Sequence, residues 1–542
     1  MSTATPLEEE ARSAPVALRP VAPPDTVLPP RLRYLVTATL LAATFMEVVD
    51  TSIVNVALPS MQGKLGVTLD EASWVSTGYI ISNVIVLPLT SWLSDALGRR
   101  RFLAYCLILF TASSVGCGLS ATLPELVFFR VMQGAGGAAF LSTAQSTLLE
   151  IFPMEQRGAA QALFGVGVMM APTLGPSIGG YLTDHYSWPW IFFVNLPVGV
   201  LATGLTFAVV PDSANAGAKR AADFLGIGLL AIGLGSLQFV LERGEHYDWW
   251  DSPLIRALAA SSLLGLALFL AWELNPRNRA PAVDVRLALD RNLGLGSAYG
   301  ALLGFLMYGS IFAVPQLLQA VQNHTAQQTG ALLIPGGLAT AAGMMVVGKL
   351  SGKLDARLLV GLGMVSFGAS SCAFATRLTL DTPDTFYFAP LILRGLGFGL
   401  SFVPLSLIAL GTLKPQAVAQ GAGLYNLFRQ LGGSFGIATL TTLLDRRAHL
   451  HAARLADHVG VTDTATQLRL DAIARTLVAH GSDEVSARQG AVQMLAATVH
   501  HHAILGAFID VFCVLAVAAG VGVVGTLLFK KPRNPGAAAA AH

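Results

Sequence analysis

Residues 34–58 read YLVTATLLAATFMEVVDTSIVNVAL, a run with no basic side chain and only two acids, Glu47 and Asp50. A helix of about 20 mostly apolar residues crosses the roughly 30 Å hydrocarbon core of a bilayer, so this stretch reads as a membrane span. The rest of the chain agrees. Of its 542 residues 53% are hydrophobic and only 12% charged, against about 25% charge in an average soluble domain. Mean hydropathy is +0.60. The net charge of +2 is too small to point to a nucleic-acid partner.

Working outward from 34–58, further apolar stretches lie at about 74–94, 102–122, 125–149, 159–182, 190–211, 223–242, 254–273, 294–320, 327–348, 357–376, 386–412, 420–443 and 504–529. The expected fold is therefore all-α membrane, with about 14 transmembrane helices. Residues 1–33 are polar and proline-rich, with an acidic run at Glu8–Glu10, and read as a disordered cytoplasmic tail. No removable signal peptide is apparent, so the first span is expected to direct insertion.

Basic residues in short loops mark the cytoplasmic side. With the N-terminus inside, the inner loops hold Arg99, Arg100 and Arg101; Lys219 and Arg220; Arg277, Arg279, Arg286 and Arg291; Lys349, Lys353 and Arg357; and Lys414. Lys530, Lys531 and Arg533 then fall in a cytoplasmic tail, 530–542. Short outer loops hold few, such as Arg243 and Arg377, and the long outer loop 444–503 is exempt by its length. The two ends of the chain also echo each other. Leu93-Ser94-Asp95-Ala96-Leu97-Gly98-Arg99-Arg100 follows the second span, and Leu350-Ser351-Gly352-Lys353-Leu354-Asp355-Ala356-Arg357 follows the tenth. Arg130 in the fourth span is matched by Arg394 in the twelfth. The expected organisation is two six-helix halves, 34–211 and 294–529, separated by a two-helix insert at 223–273.

Ionisable residues within a span are costly unless they are paired or face a cavity, and they mark functional sites. The main ones here are Glu47, Asp50, Arg130, Arg394, Arg429 and Asp510. At 1.5 Å per residue, Asp50 and Arg130 each fall about 6–7 Å from the outer boundary, so the opposite charges share a depth. Glu47 is one helical turn from Asp50 on the same face. A carboxylate balanced between burial and a neighbouring cation can bind and release protons. The plainer alternative is a static ion pair joining two helices. Arg429, flanked by Asn426 and Gln430, either serves a site or bonds backbone carbonyls. Arg394 and Asp510 lie at similar depth, but nothing in the sequence shows that their helices touch.

Within the fifth span, Ala171-Pro172-Thr173-Leu174-Gly175-Pro176-Ser177-Ile178-Gly179-Gly180 breaks the helical ladder twice and allows close helix approach. It reads either as a bend where halves rock or as ordinary glycine-rich packing. Seven of the eleven histidines lie in 444–503. No carboxylate or cysteine spacing completes a site, so a solvated loop is expected rather than a metal centre. Leu468, Leu470, Ile473, Leu477 and Val478 recur there at helical spacing, so one or two amphipathic helices are expected to project between the last two spans. Cys106, Cys117, Cys372 and Cys513 all sit in apolar stretches and fit neither a disulfide framework nor a zinc site. No cofactor and no catalytic constellation is indicated.

Several strings carry a family resemblance. They are Val49-Asp50-Thr51-Ser52-Ile53-Val54-Asn55-Val56-Ala57-Leu58-Pro59, Trp188-Pro189-Trp190-Ile191-Phe192-Phe193-Val194-Asn195-Leu196-Pro197, and Arg130-Val131-Met132-Gln133-Gly134. With them the chain resembles the major facilitator superfamily, specifically its fourteen-span drug:proton antiporters of the EmrB and QacA type. The resemblance covers about 34–535 and leans to the EmrB branch through Gly233-Leu234-Gly235-Ser236-Leu237-Gln238, Glu242-Arg243-Gly244 and the tail. It implies a proton-transfer role for Arg130. It also implies a gating role for Asp95, Gly98, Arg99 and Arg100, with Ser91 where the family usually has glycine. Gly175, Pro176, Gly179 and Gly180 match an antiporter motif, which implies export. A Gram-negative host follows by the same resemblance, with a periplasmic adaptor and an outer-membrane channel as partners. Glu47 is an acid that the general motif does not fix.

The function expected is proton-coupled export of amphipathic toxic compounds from the inner membrane. Tyr308, Gln316, Gln319 and Arg429 are candidates to line the substrate cavity. The competing readings are a dedicated exporter of one endogenous metabolite or organic acid, and a transporter-derived sensor or scaffold. Retention of both Asp50 and Arg130 argues against the sensor.

Overall fold

The structure is a computed structural model that describes residues 28–212, 223–276, 278, 281–350, 354–457, 459–460 and 463–529. Residues 1–27 of the expected N-terminal tail, Lys219, Arg220, Arg277, Arg279, Ser351, Gly352, Lys353, His458 and the tail from 530 lie outside the described residues.

In a bilayer the backbone must satisfy its own hydrogen bonds, and helices do so within each segment. The first half holds α1 (Pro30–Leu65), α2 (Leu69–Val86), α3 (Thr90–Leu97), α4 (Arg99–Leu119), α5 (Leu123–Ile151), α6 (Met154–His185), α7 (Trp190–Phe193) and α8 (Asn195–Val209). The second span is α2 and α3 joined by a 3₁₀ turn, Leu87–Leu89, at Pro88; the sixth is α7 and α8 together. The insert is α9 (Phe224–Arg243) and α10 (Pro253–Glu273). The second half holds α11 (Arg291–Ala320), α12 (Ala326–Leu350), α13 (Ala356–Arg377), α14 (Asp384–Leu410), α15 (Val418–Ala456), α16 (Thr464–Ala479) and α17 (Glu484–Gly525). Thr68 with Glu71 and Thr122 with Glu125 form capping boxes that start α2 and α5, satisfying backbone N–H groups that no helical turn can reach.

Helix pairing reveals the repeat. In the first half α1 packs on α6 and α8, α2 on α5, and α4 on α5 and α8. In the second half α11 packs on α15 and α17, α12 on α14, and α13 on α14 and α17. These are the same pairs shifted by eight spans, which accounts for two six-helix halves with the insert between them. Close approach depends on glycine: a Cβ on Gly436 would lie 2.7 Å from the Phe305 carbonyl oxygen, and one on Gly399 would lie 2.6 Å from that of Thr340.

The halves meet along α6 against α12, and where α15 crosses α5, α3 and the 3₁₀ turn. The insert pair leans on α2 and α15, with Gln238 donating to Ser434 at 2.9 Å and Trp249 to Thr442 at 3.0 Å. Eleven of the described helical segments are long and apolar enough to cross a membrane, and bent α6 makes twelve. α5 and α15 complete the expected set but are more polar. Both lie inside the bundle, where neighbouring helices shield their polar side chains.

Segment 444–503 is mostly helical. α15 runs on to Ala456, α17 begins at Glu484, and α16 packs on α17 between them. Asp463 caps α16, and hydrogen bonds from the Thr466 hydroxyl and backbone, then the Ala465 backbone, hold its carboxyl below the usual carboxylate range.

Candidate functional site

The depth match between Asp50 and Arg130 is realised as a bond. Asp50 in α1 is fully buried and Arg130 in α5 is 1% exposed, and Arg130 Nη1 donates to Asp50 Oδ2 at 2.5 Å. Asp50 Oδ1 accepts from Gln133 Nε2 at 3.0 Å and from Asn195 Nδ2 at 2.7 Å. Both amides also donate to Ser114 Oγ, at 2.6 and 3.0 Å. Arg130 donates further to Gln133 Oε1 and the Val75 carbonyl, and its guanidinium carbon lies 4.3 Å from the Tyr79 ring centroid. A buried ion pair persists only when its remaining donors and acceptors are met, and these contacts meet both Asp50 oxygens and Arg130 Nε and Nη1. Five spans thus converge on one carboxylate. Gln133 and Asn195 stood in the quoted strings without a role. Ser114 carried no signal, because an isolated hydroxyl in an apolar helix usually bonds its own backbone.

Glu47 shares the face of Asp50 but has other partners. Its Oε1 accepts from Asn83 Nδ2 at 3.4 Å, and its Oε2 is buried without a partner. Asn83 Oδ1 in turn accepts from Gln430 Nε2 of α15 at 3.2 Å, so a polar chain from Glu47 crosses between the halves. Arg429 is 3% exposed, and its Nε and Nη1 have no hydrogen-bond partner. The backbone-carbonyl alternative for it therefore fails at two of its three nitrogens. Tyr308 lies against Gly433 of α15. Gln316 and Gln319 are exposed towards the end of α11, away from buried Arg429 in exposure and in helix. Arg394 and Asp510 do not pair. Arg394 donates to the Ser310 carbonyl at 3.3 Å, while Asp510 faces His451 at 3.0 Å and Arg447 at 3.5 Å.

Gly98 has φ +84°, a conformation side-chain-bearing residues rarely adopt, and this lets α4 start directly behind α3. Arg99 is buried and pairs with Glu150 at the far end of α5 at 2.5 Å. Arg100 Nε donates to the Val210 carbonyl at 2.8 Å, and its backbone N–H donates to Asp212. Asp95 is 5% exposed. These contacts tie the third, fourth and sixth spans at one end. Losing a hydrogen bond to a charged group costs about 1.5–3 kcal/mol, enough to shift a two-state population about tenfold or more. Asp95→Asn and Arg99→Gln are accordingly expected to slow turnover several-fold while changing substrate Kd less than twofold. Steady-state transport measured beside equilibrium binding tests this; a Kd that rises in step with the loss of transport contradicts it.

In the Gly-Pro stretch of α6, Gly175 and Gly179 face α1. A Cβ on Gly175 would strike Ser52 Oγ, and one on Gly179 would lie 2.7 Å from Ile53 Cγ1. A Cβ on Gly180 would meet no other part of the described residues within 4 Å beyond its own helix. α6 bends by 40° between Pro172 and Leu174, beside the turn of α1 that carries Asp50.

A bundle of polar-cored helices in two matching halves, with one buried acid–base centre, defines a multi-pass membrane transporter. The chain belongs to the Major Facilitator Superfamily, whose family model matches residues 40–437, and to its EmrB-type multidrug exporters. It is 35% identical over 427 residues to the multidrug export protein EmrB of Escherichia coli K12, covering 78% of this chain and 83% of that protein. It is 33% identical to the fatty acid resistance protein FarB of Neisseria gonorrhoeae, over 78% of this chain and 83% of that one. The colistin resistance protein EmrB of Acinetobacter baumannii is 27% identical over 90% of this chain and 94% of its own length. Among solved structures, the human organic anion transporter MFSD10 matches with a TM-score of 0.55 at 14% identity, covering 91% of this chain and all of that one. The proton:xylose symporter XylE also reaches 0.55, at 13% identity, over 91% and 96%. Both show a shared fold.

Proposed function

We propose that this multidrug exporter is driven by protons, with Asp50 as the proton-carrying group, Arg130 as its counter-charge and Glu47 as a second acid near the same centre. The carrying observation is the buried Asp50–Arg130 pair held by Gln133 and Asn195. Protonating Asp50 cancels its charge and releases Arg130, so donors on α5 and α8 lose the acceptor that gathers them. Gly175 and Gly179 pass a shift of α1 to α6, and α6 packs on α12 of the other half. This gives a contiguous contact route by which a shift at Asp50 reaches the other half.

The basic residues of the loops favour a cytoplasmic position for both termini. The names of FarB and the Acinetobacter protein favour toxic amphipathic compounds as substrates. EmrB likeness favours a three-part pump with a periplasmic adaptor and an outer-membrane channel, in which segment 444–503 is the adaptor's docking surface.

Purified protein in liposomes tests the core of this reading. An imposed pH gradient should drive uptake of a fluorescent dye such as ethidium, with matching proton release. Dye movement that is indifferent to the gradient and to protonophores overturns proton coupling.

A further inference from the structure

A guanidinium keeps its charge at any accessible pH and carries five N–H donors. Arg429 is held in α15, 3% exposed, with Nε and Nη1 buried and unpartnered. Among the described residues no carboxylate lies within 4.0 Å of it. Glu47 of α1, linked to Gln430 through Asn83, spends its hydrogen bond on Asn83. Arg130 shows what a settled cation looks like in this bundle: an acid, an amide and a backbone carbonyl all accept from it. Arg429 has none of these. An unmet buried donor costs about 1–3 kcal/mol, more when charged. That cost is recovered in any state of the transport cycle that brings an anion to it.

Its surroundings say what kind of anion. The Phe402 ring of α14 lies 5.6 Å from the guanidinium carbon. Beyond Phe402 are Met344 of α12 and Gly165 of α6: a Cβ on Gly165 would sit 3.2 Å from Phe402 Cδ1 and 2.7 Å from Met344 Sδ. The two halves therefore meet here through an aromatic ring, a thioether and a bare backbone, with one charged group at the edge. Arg429 and Gln430 both belong to the seam, and Gln430 reaches Asn83 across it, so parting the halves exposes the guanidinium and this apolar floor together.

We infer that Arg429 is an anion-binding group of the substrate site, taking amphipathic monoanions with a single carboxylate and an apolar body. The carboxylate accepts from the guanidinium, whose paired N–H groups form a fork that suits it, and the apolar body lies along Phe402 and Met344. This deepens, and rests on, the exporter reading above.

Equilibrium binding of radiolabelled laurate to the purified protein in phosphatidylcholine nanodiscs, with empty discs subtracted, tests it, with dodecyltrimethylammonium as a cationic probe of equal chain length. Arg429→Gln should weaken laurate at least tenfold and leave the cation within twofold. Arg429→Lys, which keeps the charge without the fork, should fall between. Laurate binding unchanged in Arg429→Gln, or both probes lost equally in Arg429→Gln and Arg429→Lys, overturns the assignment. Wild-type protein that exports ethidium under a pH gradient yet does not bind laurate overturns it while the exporter reading stands. Laurate bound through Arg429 in a protein that moves no substrate under any gradient overturns the exporter reading instead.

Discussion

Asp50→Asn should abolish proton-driven export, lowering exchange in liposomes by about 100-fold or more, the scale on which an essential proton-transfer group acts. The substitution keeps the size of the side chain and an acceptor for Arg130, Gln133 or Asn195, but it cannot take up a proton. Removing one member of a buried pair costs about 3–5 kcal/mol when the other charge is left bare. Here the asparagine oxygen and the bonds from Arg130 to Val75 and Gln133 soften that loss, so the protein should still reach the membrane at normal abundance. Asp50→Glu, which restores a titratable group, should recover part of the activity. Undiminished drug/proton exchange in Asp50→Asn would remove Asp50 from the coupling mechanism.

Replacing residues 457–483 with a short Gly/Ser linker should reduce resistance in whole cells to that of cells lacking the gene, yet leave exchange in liposomes intact. α16 has no buried residue, and Leu468 and Val478 are 62% and 42% exposed. Cutting it away therefore uncovers little core, and α15 and α17 can still pair as a hairpin. On the docking role proposed above, these exposed apolar side chains of α16 are what the adaptor contacts. Co-purification of the adaptor should be lost with resistance. An adaptor that still co-purifies with the shortened protein, in cells that remain resistant, would place docking elsewhere.

The resemblance named Arg130 and the motif strings, but it did not say what the remaining polar residues in those strings do. Gln133 and Asn195 were part of them, and only the folded arrangement made them acceptors and donors around Asp50. Asn83 and Ser114 could not be read at all, since one amide or hydroxyl in a span has local partners available to it. Glu47 shows the reverse limit. Helical spacing put it on the face of Asp50, and it is there, but side-chain direction sends it to Asn83 and towards the other half. In 444–503 α16 lies where helical spacing expected a helix, and the flanking spans also run on into the segment, past the length a bilayer needs.

The sequence by itself determined the all-α membrane class with about 14 spans, the two-half repeat, the insert and which charges fall within the spans. All of these follow from one-dimensional rules: a fixed rise per residue, a fixed bilayer thickness and the cost of charge in hydrocarbon. Only the tertiary structure decided which of those charges meet. Arg130 reaches Asp50, Asp510 turns to His451 and Arg447, and Arg429 is left without a hydrogen-bonded partner. Depth fixes one coordinate of a side chain; the rotation of each helix and the choice of its neighbours fix the other two. Those are set by how glycines and side chains interlock between spans far apart in the chain, which no local pattern encodes.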